Sequence, residues 1–243
     1  MRIYFDNLEK KYLSGMKHFL SYYGIELAKG EIIVHINKTD ENIYRILKNG
    51  KNVIFQVNDL GYIFRAVTIL KDKINEECFC IEEKKYFKTC GAMFDGSQAN
   101  SLMNIQSCKK MMIILAGMGY NMVMLYCEDC YTVDGEPYWG NMRPRYSKEE
   151  FRELDDFAYS LGIEMIPCIQ TLGHLTQAIK KYPYKDIADT DSVLMVGCEN
   201  VYKLIEKLIS QVSSCFRSRR IHVGLDEAWD LGLGNYLKNN GYK

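Results

Sequence analysis

Several common signals are missing from this sequence, and each absence removes a class of function. Neither sign of charge dominates: Lys and Arg total 31, and Asp and Glu total 31. No overall positive field therefore draws in nucleic acid or an anionic membrane surface. No apolar run approaches the roughly 20 residues needed to span a bilayer. The N-terminus lacks the basic, apolar and cleavage-site sequence of a secretory signal, so cytoplasmic residence is expected. Neither glycine fingerprint of a nucleotide-binding loop occurs, and no Gly/Pro-rich linker separates domains.

The cysteines are also short of what a site would need. There are nine, an odd number, and several sit in apolar patterns beside Met and Ile, which fits reduced and partly buried thiols better than a disulfide framework. Cys127 and Cys130 form one C-x-x-C with no second ligand pair. Structural zinc normally needs four ligands, and a redox pair needs a strand-to-helix context. No metal site and no organic cofactor is expected.

What remains is a chain of 243 residues, 47% hydrophobic and 26% charged. It is long enough to bury a substantial core as one large domain or two unequal ones. The first part, residues 1–85, reads as a small α/β domain. Arg2–Phe5, Glu31–Ile36 and Val53–Val57 have strand character, and Glu9–Tyr23 and Leu60–Leu70 have helical spacing. Asp40 can cap a helix from Glu41 that places Ile43, Ile46 and Leu47 on one side. Cys78–Lys84 returns to an extended pattern.

From residue 86 the organisation is regular. Strands are expected at Ala92–Asp95, Asn121–Tyr126, Ile163–Ile169 and Ile221–Leu225, with helices at Asn104–Gly117, Lys148–Leu161 and Asn200–Phe216. Ser147 and Glu150 have the spacing of a capping box. Nearly continuous apolar strands alternating with helices indicate a parallel sheet. Each strand ends on polar residues: Asp95, then Glu128 and Asp129, then Gln170 to His174, then Asp226 and Glu227. That suits the first four βα units of a TIM-type (β/α)8 barrel, whose sites gather at the C-terminal mouth; a doubly wound sheet is the alternative. Residues 86–243 supply four of eight strands. Either the C-terminal half of the barrel is missing, or an open half-barrel forms a homo-oligomer through its exposed parallel edge.

An Asp-Glu dipeptide is usually just solvated. Asp226 and Glu227, however, close the apolar run Val223-Gly224-Leu225, where a turn can direct both side chains into one cleft. Asp129 and Glu128 have strand-end solvation as their plain reading, and His174 would be an uninformative loop histidine. Tyr138, Trp139 and Trp229 suit either a core or the C–H face of a pyranose. His222, ahead of the pair, reads as a structural residue or one that backs the site, and not as a catalytic base.

The run IHVGLDEAWDLGLG resembles the H-x-G-x-D-E signature of the retaining β-N-acetylhexosaminidases of glycoside hydrolase family 20, and through DEAWDLGLG their hexosaminidase D-like branch. LYCEDCYTVDGEPYWGNMRPRYSKEE, IEMIPCIQTLGH and a weaker GAMFDGSQANSLMN are similar to earlier family segments, so the likeness covers about residues 79–234. The resemblance implies removal of terminal GlcNAc or GalNAc from a β-linked glycoside or glycoconjugate. It implies Glu227 as general acid/base and Asp226 as the group that orients the acetamido nitrogen. The substrate's own acetamido oxygen would be the nucleophile, replacing the enzyme carboxylate of many retaining glycosidases. A general acid must hold its proton near neutral pH, which burial or neighbouring carboxylates supply.

By the same resemblance Asp129 and His174 match polar positions around the sugar pocket, where Asp129 could tune His174 or Glu227, and Arg143 and Arg145 match a basic loop. Glu128, Asp95 and Trp229, by their places at strand ends, are candidates to bind the sugar or to back the groups that do. Two positions depart from the family pattern. Cys90 stands where an arginine before Gly91 would bind sugar hydroxyls, and Gln98 replaces another arginine; a thiol cannot reproduce a guanidinium's donors. A non-catalytic carbohydrate-binding relative and an inactive structural fragment are therefore the alternatives to an enzyme.

Overall fold

The computed structural model describes residues 1–97 and 100–242; the substitution at Gln98 lies outside the described residues. The chain divides into two compact units. One holds Met1–Ala92, Gln106–Val123 and Asp156–Glu164, the other Met93–Ile105, Met124–Asp155 and Met165–Lys243.

In the first unit the elements run β1 (Arg2–Phe5), α1 (Leu13–Tyr22), β2 (Glu26–Leu27), β3 (Ile32–Lys38), β4 (Ile43–Asn49), β5 (Asn52–Val57), α2 (Ile63–Asp72) and β6 (Cys78–Lys84). The six strands form one sheet in the order β2-β1-β3-β5-β4-β6. Pairing is parallel from β2 through β1 and β3 to β5, and antiparallel where β4 meets β5 and β6. Alternation selects the buried face: Ile32, Val34 and Ile36 are buried while Ile33 and His35 are exposed. Helices α1 and α2 meet through Phe19 and Phe64, ring centroids 5.2 Å apart.

The helix expected from Glu41 is a strand. Ile43, Ile46 and Leu47 fit one helical face, but burial alternates along β4, with Tyr44, Ile46 and Lys48 inside. A short apolar run satisfies either period, and here two strand neighbours decide it. Lys48 enters the sheet interior with its ammonium on the carbonyl of Glu77 at 3.3 Å.

The remaining elements are β7 (Gly91–Asp95), α3 (Ile105–Gly117), β8 (Met122–Cys127), α4 (Lys148–Ser160), β9 (Glu164–Ile169), the short α5 (Thr176–Ile179), α6 (Glu199–Ser213) and α7 (Asn235–Asn240). The expected strands and helices of this region, the last strand apart, fall within three residues of these bounds. The capping box forms at the start of α4: Glu150 N donates to Ser147 Oγ at 3.1 Å and Ser147 N to Glu150 Oε2 at 2.7 Å. Strands β7, β8 and β9 make a three-stranded sheet in that order. Backbone bonds join start to start, Asn121 N to Cys90 O at 3.0 Å and Glu164 N to Asn121 O at 2.9 Å. They also join end to end, Gly96 N to Tyr126 O at 3.0 Å, so the strands run the same way. This is a partial (β/α)-type barrel sheet.

The fourth strand expected at Ile221–Leu225 is reduced to one parallel bridge, Cys168 to His222. The ladder bonds are there: His222 N to Pro167 O at 3.0 Å, Ile169 N to His222 O at 2.9 Å and Thr171 N to Gly224 O at 3.3 Å. Gly224 then takes φ 52° and ends the extension. Among the described residues no strand lies on the far side of this segment.

The core of the second unit is aromatic. Trp139 is fully buried, its ring centroid 6.0 Å from Tyr131 and 5.9 Å from Tyr184, and Phe151 meets Phe216 at 5.2 Å. All nine cysteines are free thiols, five of them buried. Among the described residues no helix is long and apolar enough to cross a membrane.

Candidate active site

The strand ends of the second unit open into a cleft of about 670 Å³. Four carboxylates line it (Asp95, Glu128, Asp226 and Glu227), with two imidazoles, His174 and His222. Met93, Tyr126, Cys168 and Leu225 supply apolar surface and Ser97 a hydroxyl.

His174 stands between the paired carboxylates. Its Nε2 is 3.4 Å from Asp226 Oδ2 and 3.4 Å from Glu227 Oε2. Backbone strain gathers at the same point. Among the described residues three non-glycine positions take positive φ, and two are His174 (56°) and Glu227 (50°). Each such conformation costs on the order of 1–3 kcal/mol and persists only where its surroundings impose it. Both carboxylates are open to solvent, with side chains 57% and 58% exposed. The burial expected around Glu227 is not supplied by these residues.

A buried amide lies beneath the pair. Gln170 is completely inaccessible, and its Nε2 donates to Tyr126 Oη at 2.9 Å and to Asp226 Oδ1 at 3.0 Å. That bond is the main reason the Asp226 carboxyl lies below the usual aspartate range; partial burial opposes it, and nearby His174 and His222 add smaller pulls. Burial drives the Tyr126 phenol upward, with the Gln170 bond working the other way. Burial also pushes the Cys168 thiol up to about 11, Asp226's charge adding to it. Cys168 is thus a neutral apolar group of the floor and no thiolate nucleophile.

The residues expected around the sugar separate into two sets. Asp95, Glu128, His174, Asp226 and Glu227 share the cleft. Asp95 is held by Ser97 N at 2.8 Å and Asn100 Nδ2 at 2.6 Å. Asp129 is not part of the lining. It is 1% exposed, pairs with Arg143, and has Lys181 Nζ at 4.0 Å. Trp229 is 84% exposed and also outside the lining, while Trp139 is a core residue. Arg145 donates to the carbonyl of Trp139 at 2.7 Å, and Arg143 to that of Ser97 at 3.3 Å. Cys90 is half-buried, its N–H on Asn121 Oδ1 at 2.9 Å. Among the described residues no group of three or more His, Cys, Asp or Glu could hold a metal ion.

Gln170, Tyr126 and Cys168 had not stood out as site residues. The one signal for Gln170 was its position, a polar residue closing the apolar strand IEMIPCI.

Comparison with known proteins gives this arrangement a context. The model for the catalytic domain of glycosyl hydrolase family 20 matches residues 132–240. A β-hexosaminidase of Vibrio furnissii is 23% identical over 260 residues, an alignment covering 88% of this chain and 42% of that protein. Hexosaminidase D of Bos taurus is 27% identical over 125 residues, covering 50% of this chain and 36% of that protein. The solved structure of a family 20 exo-β-N-acetylglucosaminidase from Vibrio harveyi, in complex with N-acetylglucosamine, superposes with a TM-score of 0.77 at 18% identity. It covers 100% of this chain and 46% of that one. A mutant Streptomyces plicatus β-hexosaminidase in complex with its product GlcNAc gives 0.75 at 18% identity, covering 93% and 55%. At such identities the structural likeness speaks for the fold. The chain spans less than half the length of these curated relatives. The matched segment, which contains both Asp226 and Glu227, is similar to the catalytic domain of glycosyl hydrolase family 20.

Proposed function

We propose that this chain provides the carboxylate pair and one wall of a β-N-acetylhexosaminidase site, and that in the 243-residue form it binds a terminal N-acetylhexosamine without turning it over. One observation carries this reading. His174 gathers Asp226 and Glu227 into one cleft, yet more than half of each carboxylate faces solvent. Hydroxyls and an amide N–H can be accepted by such an array. Catalysis asks for more, because a reacting atom misplaced by about 1 Å costs on the order of 100-fold.

In a walled site the chemistry would follow from the pair. The acetamido oxygen attacks the anomeric carbon as Glu227 protonates the departing glycosidic oxygen. Asp226 accepts from the acetamido N–H and offsets the positive charge of the oxazolinium ion. Glu227 then takes a proton from water as water opens that ring, which returns the sugar with retained configuration. The run DEAWDLGLG supports reading the chain with the hexosaminidase D-like branch.

The test is incubation of the full chain and its E227Q variant with a chromogenic aryl β-N-acetylglucosaminide, alongside an NMR titration with N-acetylglucosamine. No release by either protein is expected, together with saturable binding that D226N weakens. Release abolished by E227Q would show that these residues suffice for turnover and overturn the binding-only reading. Absence of both release and saturable binding would overturn the sugar site itself.

A further inference from the structure

We infer that Gln170 is a positioning residue of this site, a buried amide that fixes the rotamer of Asp226 by anchoring it to Tyr126. The inference rests on the reading of Asp226 as an acetamido-orienting group, but its physical content is independent of sugar.

Asp226 needs an anchor. Its side chain is 57% exposed, so the protein leaves it rotational freedom, whereas an orienting carboxylate must present one chosen oxygen. Gln170 supplies the constraint from below. It is completely buried, and both hydrogens of its amide are committed, one to Tyr126 Oη at 2.9 Å and one to Asp226 Oδ1 at 3.0 Å. Tyr126 is fixed in turn, its hydroxyl 3.4 Å from Glu128 Oε1 as donor. The order of hydrogen bonds thus runs from the end of β8, through the residue after β9, to the pair.

The direction of the amide is imposed. Reversed, its oxygen would face the Asp226 carboxylate, acceptor against acceptor. In the observed direction Oε1 has no hydrogen-bond partner among the described residues. It rests against Gly224, where a Cβ would come within 2.4 Å of it and within 2.7 Å of the Ile169 carbonyl. A buried acceptor without a partner costs about 1–3 kcal/mol. An amide held in place at that cost does more here than fill space, since a leucine would fill it without the penalty. With Oδ1 bound from below, Oδ2 is the oxygen left toward His174 Nε2, at 3.4 Å. The charged and titratable neighbours of Asp226 are His174, Glu227, His222, Cys168 and Tyr126.

The experiment uses the full chain labelled with ¹³C at aspartate carboxyls, the Asp226 signal being assigned by its loss in D226N. Wild type, Q170L, Q170E and Y126F are titrated with pH. Q170L should move the Asp226 midpoint upward, because the bond favouring its anion is gone. Q170E should also displace it, because two carboxyls sharing one site ionise in two separated steps. Y126F should give a smaller upward move, Gln170 remaining but unanchored. Amide spectra of the variants verify the fold, and should Q170L not fold, Q170E and Y126F still decide. An Asp226 midpoint unchanged in the folded variants would overturn the inference, since a merely space-filling glutamine leaves that carboxyl alone. Titration with N-acetylglucosamine separates the two ideas. Weakened binding in Q170L with the shifted midpoint is expected; a shifted midpoint in a protein that never binds the sugar would uphold the anchor and reject the function.

Discussion

Removing Arg143 should destabilise the second unit far more than an ordinary surface substitution does. Asp129 is 1% exposed and Arg143 about one-fifth exposed, so the pair is buried on one side and nearly so on the other. In Arg143→Met the carboxylate stays inside. Lys181 Nζ remains at 4.0 Å, but its contribution is already present in wild type, and its hydrogen bond goes to the Tyr138 carbonyl at 3.0 Å. The bond from Arg143 to the Ser97 carbonyl is lost as well. Breaking a buried pair by removing one partner costs about 3–5 kcal/mol. The lower end applies here because Lys181 stays nearby. With a urea slope of about 3 kcal/mol per M, the midpoint falls by roughly 1 M. The two units need not unfold together, so the probe must belong to the second. Trp139 is fully buried there and Trp229 is 84% exposed, and these are the two tryptophans of the chain. Fluorescence in a W229F background therefore reports on the unit in question. Asp129→Asn alone should cost less, since Arg143 can turn to solvent, and the double variant should recover much of the loss. A loss in R143M below about 0.5 kcal/mol, or strict additivity in the cycle, would refute a buried pair.

Ser147→Ala removes the acceptor of the Glu150 N–H and should cost about 1 kcal/mol in the same urea assay, with Glu150→Ala smaller. Gly140→Ala meets two penalties, φ 60° and a Cβ only 1.9 Å from the Asp129 carbonyl oxygen. It should lower stability by more than the ~1–2 kcal/mol of the left-handed backbone alone, and a midpoint equal to wild type would contradict the close approach. Asp226 has a folded value below its unfolded one, owing first to Gln170. Its contribution is thus present above the unfolded aspartate value near pH 4 and lost as pH falls through the folded one. Between pH 6 and pH 3 the urea midpoint of D226N should accordingly fall less than that of wild type.

Legibility in the sequence followed how local the deciding physics was. The capping box, the apolar strands and the helix α6 are each settled by neighbours in the chain, and they were readable within a few residues. Strand β4 was not, because Ile43, Ile46 and Leu47 fit a helical stripe as well as an alternating strand, and the choice was made by β5 and β6 across the sheet. The Ile221–Leu225 segment failed for a related reason. Its side chains suit a strand, but extension stops at Gly224 and only one neighbour offers a ladder.

The site shows the same division more sharply, and the strand-end pair Glu128–Asp129 explains why. Successive side chains on an extended chain point to opposite sides. Glu128 lines the cleft, while Asp129, beside it in the bend that follows β8, lies inside the protein where Arg143 meets it. Asp226 and Glu227 are also adjacent, and extended geometry would separate them likewise. They share the cleft because Glu227 leaves the extended region for φ 50°, three residues after Gly224 does so at 52°. The glycine announces such a turn; a glutamate does not, since left-handed backbone is unfavourable for it. The motif could mark these two carboxylates as a pair. What makes them one physically is the strained turn that sets both 3.4 Å from a single imidazole nitrogen, with Gln170 holding one of them from beneath.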